Sequence, residues 1–212
     1  MKLGVVIPYY RTSTIREVLM KELMQELKSQ LMLYGDYLEI CIVEDGSKSD
    51  WLDKETKHEH ISFVRLTENK GISYARNRGM DILLGLKECD YIVLVDSDDY
   101  LHYDYFKKVL TEINENPRNY YFTDFDILGN ISPRTGLRER VTGIILSKEL
   151  VKYARFDEDI RIAEDVDFGN RYLRDKLTEP YYIDTVYHYN FGVDKKCLSY
   201  QAILEKEKNN EW

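Results

Sequence analysis

A chain of 212 residues suits one compact unit, and with 43% hydrophobic and 32% charged residues it has the apolar material for a core rather than the composition of a disordered polypeptide. A formal net charge of −8 excludes a surface built to neutralise nucleic-acid phosphates or to lie on anionic lipid, so any phosphate-bearing ligand has to be held locally, by a metal or a few basic groups. No stretch approaches the roughly 18 to 20 apolar residues that span a bilayer, and Cys41, Cys89 and Cys197 are far apart, so they read as reduced thiols of a cytoplasmic protein whose only membrane contact would be peripheral.

Leu3 to Tyr9 is a continuous apolar run closed by Pro8 and two tyrosines, the pattern of a strand buried on both faces. Ile15, Val18, Leu19, Leu23, Leu27 and Leu31 recur at three- and four-residue spacing and predict one long amphipathic helix up to Gly35. Leu38 to Val43 is a second buried-type strand, ending at Glu44-Asp45-Gly46-Ser47, and Ile61 to Leu66 is a third, after a polar helical stretch. From Gly71 a helix is expected with Ile72, Ala75, Met80, Leu83, Leu84 and Leu86 as its core face. Tyr91 to Val95 is a fourth strand, stopping abruptly at Asp96-Ser97-Asp98-Asp99.

Strands alternating with helices predict an α/β fold with a mainly parallel central sheet flanked by helices. Ligands of such sheets sit beyond the carboxyl ends of the strands. Pro8-Tyr9, Glu44-Asp45 and Asp96 to Asp99 all fall there and should converge in one crevice. After Asn114 the pattern is less regular. Tyr120 to Leu128 reads as a strand, Asn130 to Arg140 as a polar loop, and Ser147 to Tyr153 as a short helix with a serine cap. Glu164 to Leu173 fits a helix, Tyr181 to Tyr189 a strand and Leu198 to Lys208 a charged terminal helix.

Three carboxylates within four residues repel one another, and at a strand end with few donors nearby a divalent cation is the natural compensating charge. Oxygen ligands of this kind suit Mg²⁺ or Mn²⁺. An isolated match of this sort is more often a solvated acidic turn, and its place after a buried strand, opposite two other polar strand ends, argues for the metal.

The chain resembles the inverting glycosyltransferases of family 2, which have the GT-A fold. The resemblance is carried by Val5-Val6-Ile7-Pro8-Tyr9-Tyr10, Ile42-Val43-Glu44-Asp45-Gly46-Ser47, the stretch from Asn69 to Gly79 (NKGISYARNRG), Asp96-Ser97-Asp98-Asp99 and Glu164-Asp165, in the family's order over roughly residues 3 to 190. It implies a Rossmann-like sheet, one domain over 1–212 with a nucleotide-sugar-binding half over about 1–115, an acceptor-side half over about 116–200 and a charged tail over 201–212. It also implies a nucleoside-diphosphate-sugar donor, commonly with uracil as its base, and a saccharide or glycoconjugate acceptor, with Mn²⁺ or Mg²⁺ as cofactor.

By the same resemblance Asp45 accepts from the base, with Pro8 and Tyr9 beside the ring, and Arg76 faces the donor phosphates. Asp96, Ser97, Asp98 and Asp99 hold the metal and donor, and Asp165 is the general base, with Glu164 as its competitor or assistant. His188 is a further candidate metal ligand, although a lone histidine is more often a packing residue. Glu44 and Tyr10 depart from the family's usual Asp and Asn, which leaves the base identity open. Two other readings stay open, a nucleotidyltransferase, against which the glycine-free Tyr9-Tyr10-Arg11-Thr12 speaks, and a non-catalytic nucleotide-sugar-binding domain. Oligomerisation is open too, and the acceptor-side segment from Asn116 to Asp159 carries no readable pattern.

Overall fold

The structure is a computed structural model and describes residues 1–127, 130–132, 141–173 and 181–190. The expected terminal helix from Leu198 to Lys208 lies outside the described residues, as do Cys197 and the loop over 133–140.

The first strand, β1 (Leu3–Tyr9), is buried at every position, as its unbroken apolar run requires. Ser13 caps α1 (Thr14–Tyr34) by accepting from the Arg16 amide, and a single 3₁₀ turn leads into β2 (Leu38–Glu44). The polar stretch that follows is helical only over α2 (Leu52–Glu55), before β3 (Ile61–Arg65). Next come α3 (Ile72–Gly85), β4 (Tyr91–Leu94), the two-residue β5 (Tyr100–Leu101) and α4 (Tyr105–Glu115). The remaining elements are β6 (Tyr120–Ile127), β7 (Asn130–Ser132), β8 (Ile145–Ser147), α5 (Lys148–Val151), α6 (Glu164–Tyr172) and β9 (Tyr182–Tyr189).

These strands form one sheet in the order β3-β2-β1-β4-β8-β6-β9-β5, with β7 hydrogen-bonded to β6. The β1, β2, β3 and β4 strands run parallel, and β8 joins β4 and β6 antiparallel to both. Beyond it β6 and β9 are parallel again and β5 closes the edge antiparallel to β9. The expected α/β fold is therefore present. The short β5, β7 and β8 were not anticipated, because two or three residues show no alternation.

One face of the sheet is covered by a cluster including Met20, Leu27, Tyr105 and Phe106, and the other by one including Ala75, Leu83, Val151 and Phe168. The buried stripe of α1 begins at Met20 rather than Ile15 or Val18, which are 49% and 48% exposed. The first turn of this helix stands over the strand ends, where Arg16 is directed at polar partners and not at the core. Leu86 likewise misses the core, lying just past the last residue of α3 at 79% exposure.

Candidate active site

A cleft of about 650 Å³, of the size that holds small ligands, opens at the carboxyl ends of β1, β2 and β4. Pro8, Asp45, Asp96, Asp98, Glu164 and Asp165 line it. The acidic strand ends thus meet as the topology required, and the opening turn of α6 joins them from far along the chain.

At the end of β2 the two acidic residues have separate tasks. Glu44 is fully buried, accepting from Arg65 Nε at 2.6 Å, Ser47 Oγ at 2.6 Å and the Ser49 amide at 3.2 Å, which ties the turn together. Asp45 accepts from the backbone amides of Lys70 at 2.7 Å and Gly71 at 2.9 Å, one per oxygen. It fixes the loop that starts α3, and each oxygen keeps a second lone-pair site for a ring N–H. Tyr9 lines the cleft as expected, although it is fully buried and meets Trp51 edge-on at 6.2 Å. The exposed ring on the cleft wall is that of Tyr10.

Arg76 also differs from expectation. Its side chain is 2% exposed, Nη1 donates to Glu164 at 2.7 Å and Nη2 to Asp96 at 2.8 Å, and its guanidinium lies 5.1 Å from the Phe156 ring centroid. Burial would lower the pKa of the guanidinium, and the Asp96 and Glu164 charges more than reverse this, so it stays charged. It bridges the acidic turn to α6 rather than facing the cleft with a free fork. Asn77, beside it on α3, donates to the Phe156 carbonyl and accepts from the Phe156 amide, both at 3.0 Å, anchoring the segment that leads into α6. Ala163 precedes that helix in the left-handed region at φ 62°.

The acidic turn resolves its own repulsion. Asp96 pairs with Arg76, while Asp98 receives both terminal nitrogens of Arg16 at 3.1 and 2.6 Å, with Ser97 Oγ 3.3 Å from Nη1. Asp99 turns away from the cleft, accepting from the Tyr187 hydroxyl at 2.6 Å and the Asn190 amide at 3.0 Å. Burial, then the Asp98 and Asp96 charges, push its carboxyl well above the usual carboxylate range. The same Tyr187 oxygen accepts from the Asp96 amide at 3.1 Å. The expected shortage of donors is therefore absent.

Among the described residues no group of three His, Cys, Asp or Glu side chains is gathered to hold a metal. Asp99 is withdrawn into the protein, and His188 is bonded through Nδ1 to Asp126 at 2.8 Å and stacked on Tyr100 at 4.4 Å, outside the residues lining the cleft. Neither side chain is therefore among those lining the cleft, where the sequence reading expects a metal ligand. Asp98 and Asp96 fit the role, as hard oxygen donors on the cleft wall, with Arg16 the cation that would have to yield at Asp98. At the opening of α6, Glu164 is held by Arg76, and Asp165 is the less buried carboxylate on the cleft wall. Arg16 and Arg161 line the cleft too and were missed, because each sits in a polar stretch whose pattern is that of an ordinary solvated surface.

Known proteins give the same picture. A family model described as glycosyl transferase family 2 matches residues 4–193. A poly(ribitol-phosphate) beta-glucosyltransferase of Bacillus spizizenii is 37% identical over 106 residues, 48% of this chain and 15% of that protein. The solved structure of S. aureus TarS 1-349 in complex with UDP aligns with TM-score 0.66 at 22% identity over 89% of this chain and 60% of that one. Its complex with UDP-GlcNAc aligns with TM-score 0.64 at 21% identity, over 89% and 58%. The chain thus spans only a small part of the Bacillus relative and less than two thirds of the TarS chains. With its motifs in order, its acidic strand ends in one cleft and the family model matched over nearly its whole length, the chain belongs to glycosyl transferase family 2.

Proposed function

We propose that this domain transfers a glycosyl group from a UDP-sugar to a hydroxyl of a saccharide or glycoconjugate, with inversion at the anomeric carbon and with a divalent ion at Asp98. The observation that carries the reading is the presence of Asp98 and Asp165 on the wall of one cleft, contributed by a strand end and a helix start 67 positions apart in the sequence. The UDP and UDP-GlcNAc complexes of TarS support the choice of donor.

In this reading Pro8, Tyr10 and Asp45 hold the base at the ends of β1 and β2. Asp98, with Asp96, would hold Mn²⁺ or Mg²⁺, which when bound stabilises negative charge on a departing diphosphate. Asp165 takes the proton from the acceptor hydroxyl as it attacks from the face opposite the leaving group, a step needed because a sugar hydroxyl is a weak acid. Glu164 keeps Arg76 in place and so fixes the start of α6 relative to the acidic turn. Action in the cytoplasm belongs to the same reading and is supported by Cys41 and Cys89 being free and buried. Among the described residues no helix is long and apolar enough to cross a membrane.

The test is UDP release from a set of UDP-sugars with and without Mn²⁺, in the wild type and in Asp165→Asn. The variant should keep UDP affinity and lose about a hundred- to ten-thousand-fold in kcat, since the base acts in the transition state. A protein that releases UDP from no donor, or an unimpaired Asp165→Asn, would remove the assignment.

A further inference from the structure

The cleft is lined by five carboxylates, Asp45, Asp96, Asp98, Glu164 and Asp165, and by three guanidiniums. A diphosphate entering it meets repulsion unless some positive charge remains uncommitted. Arg16 is bound at both terminal nitrogens by Asp98, and Arg76 is divided between Asp96 and Glu164. Arg161 is different. Its Nη1 donates to a neutral acceptor, the Lys70 carbonyl, at 3.0 Å, its side chain is exposed, and among the described residues no carboxylate forms an ion pair with it.

Its position is built by the surrounding elements. Asp45 clamps the Lys70 and Gly71 amides, which fixes the carbonyl that Arg161 holds. Gly71 has φ +97°, and a Cβ there would lie 2.3 Å from Arg161 Nη1, so the glycine leaves the space that the guanidinium occupies. From below, Asn77 grips Phe156 and Glu158, and Ser73 Oγ lies 3.4 Å from the Ile160 carbonyl, which sets the course of the chain up to residue 161. Three positions further on, the first turn of α6 adds the positive end of its dipole to the same side of the cleft.

We propose that Arg161 binds the diphosphate of the donor, exchanging the Lys70 carbonyl for phosphate oxygens, and that the buried Arg76 does not. The proposal rests on the donor reading given above. A guanidinium matches two phosphate oxygens with parallel hydrogen bonds, and exchanging a neutral partner for an anionic one strengthens both.

The test compares UDP and uridine binding, by calorimetry and ligand-observed NMR respectively, in the wild type, Arg161→Met and Arg161→Lys with Mg²⁺ present. Arg161→Met should weaken UDP about ten- to a hundred-fold while leaving uridine binding unchanged, with partial recovery in Arg161→Lys. Uridine supplies the control for folding and for the base site. UDP affinity in Arg161→Met equal to wild type, or an equal loss for uridine, overturns the proposal. A wild type that binds neither ligand overturns the donor reading itself, a separate result.

Discussion

Asp96, Asp98 and Asp99 stand within four residues, and each has a different partner: one a fully buried arginine, one a partly buried arginine, and one a tyrosine hydroxyl, behind which it still feels the charges of the other two. Of the two arginines Arg16 is the more exposed, at 15% against 2% for Arg76. Arg16 is thus a competitor for any cation that binds at Asp98. In Arg16→Gln the affinity for Mn²⁺, measured by calorimetry without donor, should rise about ten-fold or more, the equivalent of one charge-assisted hydrogen-bonded pair no longer displaced. An unchanged or weaker Mn²⁺ affinity would show that the pair does not oppose the ion. Neither Arg16 nor Arg161 was legible as a cleft residue in the sequence. The Arg16–Asp98 contact joins positions 82 apart, and no local spacing records it. Asp45, Asp98 and Asp165 were legible because each ends a strand or opens a helix whose apolar pattern is plain.

Among the elements, α1 links core and cleft. Its later turns bury Met20, Leu23, Met24 and Leu27, while its first turn delivers Arg16, whose amide is also the donor to the Ser13 cap at 3.1 Å. Ser13→Ala should cost about 1 kcal/mol, measured as a shift of the urea midpoint at unchanged slope. No shift would mean that water replaces the cap without loss. The length of α1 was readable from its three- and four-residue spacing, but the phase of its buried stripe was not, since Ile15 and Val18 continue the apolar pattern past the edge of the core. The second half of the sheet was less legible for another reason. The strand β8 is only three residues long, yet it joins β4 to β6, and its pairing with residues more than 20 positions earlier in the chain leaves no periodic trace.

Over the whole molecule, two apolar clusters close the two faces of one sheet, and Cys41 and Cys89 belong to the cluster on the α3 side. Burial pushes both thiols up to about 12, so neither reacts as thiolate while the protein is folded. Iodoacetamide at mildly alkaline pH should leave the peptides carrying Cys41 and Cys89 unmodified in the native protein and label both in concentrated guanidinium, followed by mass spectrometry. Rapid native labelling would place them in a part that opens locally. Tyr187 crosses between regions of the chain more directly. From β9 its oxygen grips the Asp96 amide and the Asp99 carboxylate, and its ring fills the space above Gly143, whose φ of +75° and missing Cβ leave room for it. A chimera joining the first four strands to the later segment of a relative would therefore inherit the acidic loop but not its shape, unless the donated segment brought a phenol to this one position and a glycine beneath it.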